Sequence, residues 1–310
     1  MMFSLGIDSS NYRSSAAVVN DDLKYTSNRK LLYVAQGERG LRQSDAVFLH
    51  TKQLPYVIKE ILDDIDTSKI SCIGVSDRPR RLKNSYMPCF LTGLRYAEIL
   101  ASALEVPLFR FSHQEGHIAA ALLSSGRLDL LNKEFIAFHV SGGTTEALLV
   151  SPSDIGFKVE IIAKSLDLHL GQVIDRVGVK LGLTFPCGEE LEKLALKGEV
   201  TQKTIPCIKG FDCALSGVEN ICDKMLENGE KSENIAAYTI AFAAETLCKM
   251  TLKIKEKYSD LPIVYSGGVM ANNIIKSKLR QITKADFAST ELSGDNAVGI
   301  ALLAKLSLEK

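Results

Sequence analysis

His113-Gln114-Glu115-Gly116-His117 sets two imidazoles four residues apart. At about 3.6 residues per helical turn such positions lie roughly 40° apart around the axis, so on a helix both rings face the same way. A pair of neutral imidazoles is a ligand set for iron and for zinc alike. Glu115 stands two residues from each histidine and faces the other side, unlike the glutamate of zinc-peptidase helices, which sits beside the first histidine. On the pair alone two readings stay open: a shared metal ion, or two partly buried histidines with structural hydrogen bonds. Two more ligand types favour the ion. His139 ends an apolar run, and Asp295 stands at a helix start.

Three small-residue turns follow apolar runs: Gly6-Ile7-Asp8-Ser9-Ser10-Asn11, Ser141-Gly142-Gly143-Thr144-Thr145 and Ser266-Gly267-Gly268-Val269. Glycine lets a backbone approach a phosphate, while N–H groups and hydroxyls donate to it. Each turn alone is equally well a tight turn without a ligand. Together they point to a nucleotide cleft, since two of them open similar halves and the third leads into a helix. Neither a Walker loop nor a GxGxxG fingerprint occurs.

The elements that must position these residues follow from periodicity. The pattern predicts a strand over 3–8 with a hairpin partner over 15–19, a helix over 45–65, a strand over 72–76, a helix over 91–104, a strand over 106–111 and a helix over 114–123. The plan then repeats: a strand over 135–140 and its partner over 147–150, helices over 173–183, 189–196 and 234–258, a strand over 262–265, and helices over 272–281 and from Gly294 onward. This is an α/β chain of two related halves, residues 1–112 and 113–310, with the last helix packing on the first half.

The 310 residues carry 37 Lys plus Arg against 37 Asp plus Glu, which excludes a surface that is basic all over, so any nucleic-acid contact must be local or shared. Seven cysteines form no CxxC pair and leave one over, which fits neither a disulfide framework nor a zinc ribbon and points to a reducing, cytoplasmic setting. Asp8 interrupts the first apolar run too early for a signal peptide, and the apolar stretch 297–304 is too short to span a bilayer. No membrane association is expected. The one dense charge run is Asp77-Arg78-Pro79-Arg80-Arg81-Leu82-Lys83, by default a solvated loop.

In this order the motifs resemble the TsaD, or O-sialoglycoprotein endopeptidase-like, family of threonylcarbamoyl transferases. The resemblance runs from Gly6-Ile7-Asp8-Ser9-Ser10 through His113-x-Glu115-Gly116-His117, Val140-Ser141-Gly142-Gly143, Gly171-x-x-x-Asp175-Arg176, Pro186-x-Gly188, Ser216-Gly217 and Gly267-Gly268-Val269-x-Ala271-Asn272 to Asp295-Asn296. It implies an actin-like ATPase fold closing on a nucleotide cleft. It also implies one divalent metal, iron or zinc, on His113, His117 and Asp295, with His139 where some relatives place a tyrosine ligand. The nucleotide side would comprise Val140, Ser141, Gly142, Gly143, Thr144, Asp175, Gly188, Gly267, Gly268 and Asn272, Asp175 accepting from the ribose hydroxyls. The implied reaction moves a threonylcarbamoyl group from threonylcarbamoyl-adenylate to an adenosine beside the tRNA anticodon. The implied partners are tRNA, a TsaB-like paralogue and a TsaE-like ATPase.

The chain departs from the family pattern on the acceptor side. Tyr12 and Arg13 replace two acids of the first loop; Thr144, Gln172, Cys187 and Glu219 replace a His or Asn, a Glu, a Gly and a Lys. Those departures keep two other readings open: a non-catalytic nucleotide-binding paralogue, and a carbamoyl or acyl transferase acting on a small molecule.

Overall fold

The computed structural model describes all residues except Asn11, 35–40, 293–295 and Lys310. The chain divides into two compact units, Met1–Asn132 with Pro152–Val159 and Glu291–Lys310, and Lys133–Ser151 with Glu160–Thr290.

The first unit opens with β1 (Phe3–Ser10), β2 (Arg13–Asn20) and β3 (Tyr25–Leu31), followed by α1 (Gln43–Asp63), β4 (Ile70–Arg78), α2 (Cys89–Leu104), β5 (Leu108–Ser112) and α3 (His113–Ser125). Its sheet runs β3-β2-β1-β4-β5, with β1 antiparallel to β2 and parallel to β4. β1 is buried on both faces, as a central strand must be when helices cover both sides. Leu5 and Ile7 pack with Leu54 and Val57 of α1 and Ala97 of α2.

The second unit holds β6 (Phe135–Val140), β7 (Thr145–Pro152), most of β8 (Phe157–Lys164), α4 (Leu170–Lys180), α5 (Gly188–Ala195), β9 (Cys207–Lys209), β10 (Asp212–Ala214), α6 (Ser216–Glu227), α7 (Ser232–Lys257), β11 (Ile263–Ser266), α8 (Asn273–Ile282) and β12 (Ala285–Phe287). Its sheet order, β12-β11-β6-β7-β8, reproduces β5-β4-β1-β2-β3. The repeated plan expected from the two strand–turn–strand openings is therefore present. α7 is long and apolar enough to cross a membrane, yet 78% of its apolar window is buried inside the protein, where it packs with α5 and α8 as a core helix.

The last helix, α9 (Asn296–Leu308), returns to the first unit and packs on α3, β1, β2 and β4. It is apolar on every side, and Asn296 through Ala304 are all buried. Ala120 of α3 shares a cluster with Ala297, Val298 and Ala301, so α3 groups by packing with the residues before it, and the unit boundary falls after Asn132 rather than after residue 112. The crossing is close: a Cβ on Gly299 would lie 1.9 Å from the Gly116 carbonyl oxygen. All seven cysteines are free thiols, and only Cys207 is exposed.

Candidate functional site

α3 starts where it does because Ser112 and Glu115 form a capping box: Ser112 Oγ accepts from the Glu115 N–H at 3.3 Å, and Glu115 Oε2 accepts from the Ser112 N–H at 2.7 Å. The Ser-x-x-Glu spacing was a readable signal for this start. The cap puts His113 in the first turn and His117 one turn later. Their Nε2 atoms lie 3.0 Å apart, with ring centroids at 4.4 Å. Metal–nitrogen bonds of about 2.0–2.1 Å place two imidazole donors of one ion roughly 2.9–3.4 Å apart, so the pair fits a divalent cation. Gly116 between them leaves room for Asn296, whose side-chain nitrogen and oxygen would both lie 2.6 Å from a Cβ there.

Behind His113 stands a buried polar network. His113 Nδ1 lies 2.8 Å from Asp8 Oδ1, which also accepts from Asn296 Nδ2 at 3.1 Å and from Ser76 Oγ. Burial disfavours the Asp8 charge, but the neighbouring His113 and the hydrogen bonds from His113, Ser76 and Asn296 outweigh it and hold the carboxyl well below the usual carboxylate range. Asp8 Oδ2 takes the Ser10 N–H at 3.3 Å, and the Ser10 carbonyl takes His50 Nε2 at 2.8 Å. Asp8 and Asn296 stand in motifs read from the sequence but were given no individual role there, and Ser76 and His50 were not singled out as site residues. They come from four separate elements, and nothing in local spacing joins them. Asp295 lies outside the described residues. Among the described residues no group of three or more His, Cys, Asp and Glu surrounds a common point. His139 is on β6 in the second unit, its Nδ1 3.3 Å from Ser266 Oγ of β11.

The second unit gathers the ten residues assigned to a nucleotide. Val140 ends β6, and the turn after it is closed by the Ser141 N–H donating to the Thr144 carbonyl at 2.7 Å. Gly171, at the start of α4, donates its N–H to the Ser141 carbonyl at 3.2 Å. Gly267, at φ 101°, backs on Val140, whose carbonyl oxygen would lie 2.2 Å from a Cβ. Gly142, Gly143, Gly188 and Gly268 instead have nothing within 4 Å of where a side chain would begin. Packing does not demand glycine at those four positions, and open backbone is what a bound phosphate or purine needs.

Asp175 Oδ1 accepts from the Cys187 N–H at 2.8 Å, tying α4 to the Pro186-Cys187-Gly188 turn that begins α5. Glu192 of α5 accepts from the Asn273 N–H at 2.6 Å, which brings α5 against the start of α8. Asn272 is buried and caps that helix through Oδ1, at 3.0 Å from the Ile275 N–H. The turns lie at the carboxyl ends of the parallel strands β6 and β11, where open α/β sheets bind ligands.

The family model described as TsaD, tRNA N6-adenosine threonylcarbamoyltransferase, matches residues 26–302. The chain belongs to the TsaD family. A tRNA N6-adenosine threonylcarbamoyltransferase of Methanopyrus kandleri is 27% identical over 97% of the chain and 86% of its own length. Among solved structures, HypF of T. kodakarensis aligns with a TM-score of 0.63 at 16% identity, over 99% of this chain and 48% of that one. A ROK family glucokinase from Streptomyces griseus aligns with a TM-score of 0.55 at 9% identity, over 99% and 100%. The fold is the actin-like ATPase fold anticipated from the motifs.

Against the TsaD pattern, the departures have local consequences. Glu219 pairs with Arg176 at 3.0 Å and with Lys180 at 3.0 Å, and Lys180 reaches Asp223 at 2.6 Å, so the acid in place of the family's lysine joins α6 to α4. In the basic loop, Arg78 is held by Asp77 at 2.7 Å and Arg81 by Glu115 at 2.7 Å. Glu115 is fully buried and also accepts from Ser112 Oγ and from the Phe157 N–H. Arg81 therefore serves the fold of the first unit.

Proposed function

We propose that the protein transfers a threonylcarbamoyl group from threonylcarbamoyl-adenylate to the exocyclic amine of an adenosine beside the tRNA anticodon. The amine nitrogen attacks the carbamoyl carbon, the carbon–oxygen bond to the phosphate breaks, the amine loses a proton, and AMP leaves. The observation that carries this reading is the convergence of His113 and His117, with Nε2 atoms 3.0 Å apart, in a chain of the TsaD family.

His113 and His117 would hold a divalent ion, iron or zinc; Asp295 and His139 are further ligands only as the family resemblance implies. Such an ion, when bound, polarises the carbonyl under attack. The remaining work belongs to this chain's own groups. The open backbone at Gly142 and Gly143 lets the adenylate phosphate approach the turn, where the Gly142 N–H would donate to it as its negative charge grows with the departure of AMP. Asp175 Oδ2 accepts from a ribose hydroxyl, and the Asn272 amide and the bare Gly268 face the nucleotide. Acting on tRNA in the cytoplasm, the protein would work with a TsaB-like paralogue and a TsaE-like ATPase.

The test is transfer of labelled threonylcarbamoyl to unmodified tRNA, with the chain alone and with those helper proteins. Labelled tRNA is expected in the assisted reaction. No product in either, with metal and AMP still bound, would give the site to the non-catalytic or small-molecule reading.

A further inference from the structure

We propose that Asp8 is a positioning residue for the metal site, holding His113 in the tautomer that leaves Nε2 as its donor nitrogen. This rests on the metal reading above. His113 Nδ1 is 2.8 Å from Asp8 Oδ1 and 2.8 Å from Asn296 Nδ2, and Asn296 Nδ2 is 3.1 Å from Asp8 Oδ1. An ionised carboxylate only accepts, so the ring nitrogen facing it carries the proton. A bare Nδ1 could accept from Asn296 Nδ2, but it would set its lone pair against the Asp8 oxygen, and a hydrogen bond to an ionised carboxylate is the stronger of the two. With Nδ1 protonated and the ring neutral, the lone pair lies on Nε2, the atom that faces His117 Nε2 at 3.0 Å.

Asn296 reports the same polarity. Its N–H points at Asp8 while its Oδ1 is buried with no hydrogen-bond partner among the described residues. The amide turned the other way would aim its oxygen at the carboxylate, so the orphaned oxygen is the lesser cost. Donors from β4, α3 and α9 thus converge on one oxygen of a β1 side chain and fix its direction. A carboxylate behind a ligating imidazole orients the ring and raises its basicity, and losing such a partner typically weakens metal binding about 10–100-fold. A merely structural Asp8 would change the melting temperature and leave both the tautomer and the affinity of the folded protein unaltered.

The experiment uses full-length, metal-free protein with ¹⁵N-labelled histidine. Long-range ¹H–¹⁵N correlation spectra read which His113 nitrogen is protonated, and Zn²⁺ and Co²⁺ titrations are run on wild type, Asp8→Asn and Asn296→Ala. Expected are an Nδ1–H tautomer in wild type, mixed tautomers with about 10–100-fold weaker binding of both ions and an altered Co²⁺ visible band in Asp8→Asn, and a smaller loss with the tautomer kept in Asn296→Ala. An Nε2–H tautomer in wild type, or wild-type affinity in Asp8→Asn, overturns the proposal. If Asp8→Asn does not fold, the wild-type spectrum decides. Wild-type protein that binds neither ion overturns the metal reading itself, and the spectrum then judges the Asp8–His113 pairing separately.

Discussion

Gly171 lies so close to Gly142 that a Cβ at position 171 would sit 2.6 Å from the Gly142 nitrogen and Cα. α4 therefore buttresses the Ser141–Thr144 turn from behind, while the other side of Gly142 stays open. The two glycines should behave differently. Gly171→Ala should cost about 1–3 kcal/mol by overpacking, read as a lowered melting temperature without ligand. Gly142→Val should leave that temperature nearly unchanged and abolish the stabilisation by AMP or ATP. Equal thermal shifts with saturating nucleotide in wild type and Gly142→Val would remove the turn from the nucleotide site.

Because both imidazoles present Nε2 to one point, His113→Ala and His117→Ala should each remove most of the bound metal. Metal analysis of purified protein should find about one ion per chain in wild type and a loss in either variant. The same metal content in wild type and the double variant would contradict the pairing.

Arg81 looks from the sequence like part of a basic surface but is bound to buried Glu115. Arg81→Ala should destabilise the protein by about 1–3 kcal/mol, since it strips a partner from a buried carboxylate. It should leave the salt dependence of tRNA binding as it was, whereas a phosphate contact would lower that slope by nearly one. Denaturant melts and binding at several salt concentrations separate the two outcomes.

His50 donates from Nε2 to the Ser10 carbonyl and pairs through Nδ1 with Ser14 Oγ, at 2.8 Å each, so a neutral ring is satisfied at both nitrogens. Burial pushes its pKa down, against the opposing pull of the Ser10 carbonyl and the Asp8 charge. The unfolded chain then binds the proton first, so stability should fall as pH drops below about 6.5, the ordinary histidine value. His50→Gln should flatten that part of the profile and cost about 1–3 kcal/mol at pH 8. Parallel wild-type and variant melts from pH 8 to 5 would count against this role.

Long periodic elements were legible from the chain alone. α1, α2, α7 and the strands β1, β4, β6 and β11 follow from apolar spacing, because each buries one stripe or both faces in a core. β3 and β8 were not, since edge strands with exposed, mixed sequence lack the alternation that marks a half-buried strand. α6 was overlooked although Val218, Cys222 and Met225 repeat at helical spacing and are all buried.

For the site, the order of motifs was enough to point to the family, and the histidine pair and the small-residue turns could be picked out as candidates, because helix spacing and turn chemistry are local properties. Which side chains stand behind them was decided only in three dimensions. Asp8, Ser76, His113 and Asn296 meet because α9 returns to β1 and crosses α3 at paired glycines, and Arg81 meets Glu115 because β4 and β5 are neighbours in the sheet. Contacts of that kind depend on helix crossings and strand order. The residues involved are separated by up to 288 positions along the chain, a distance over which local periodicity carries no information.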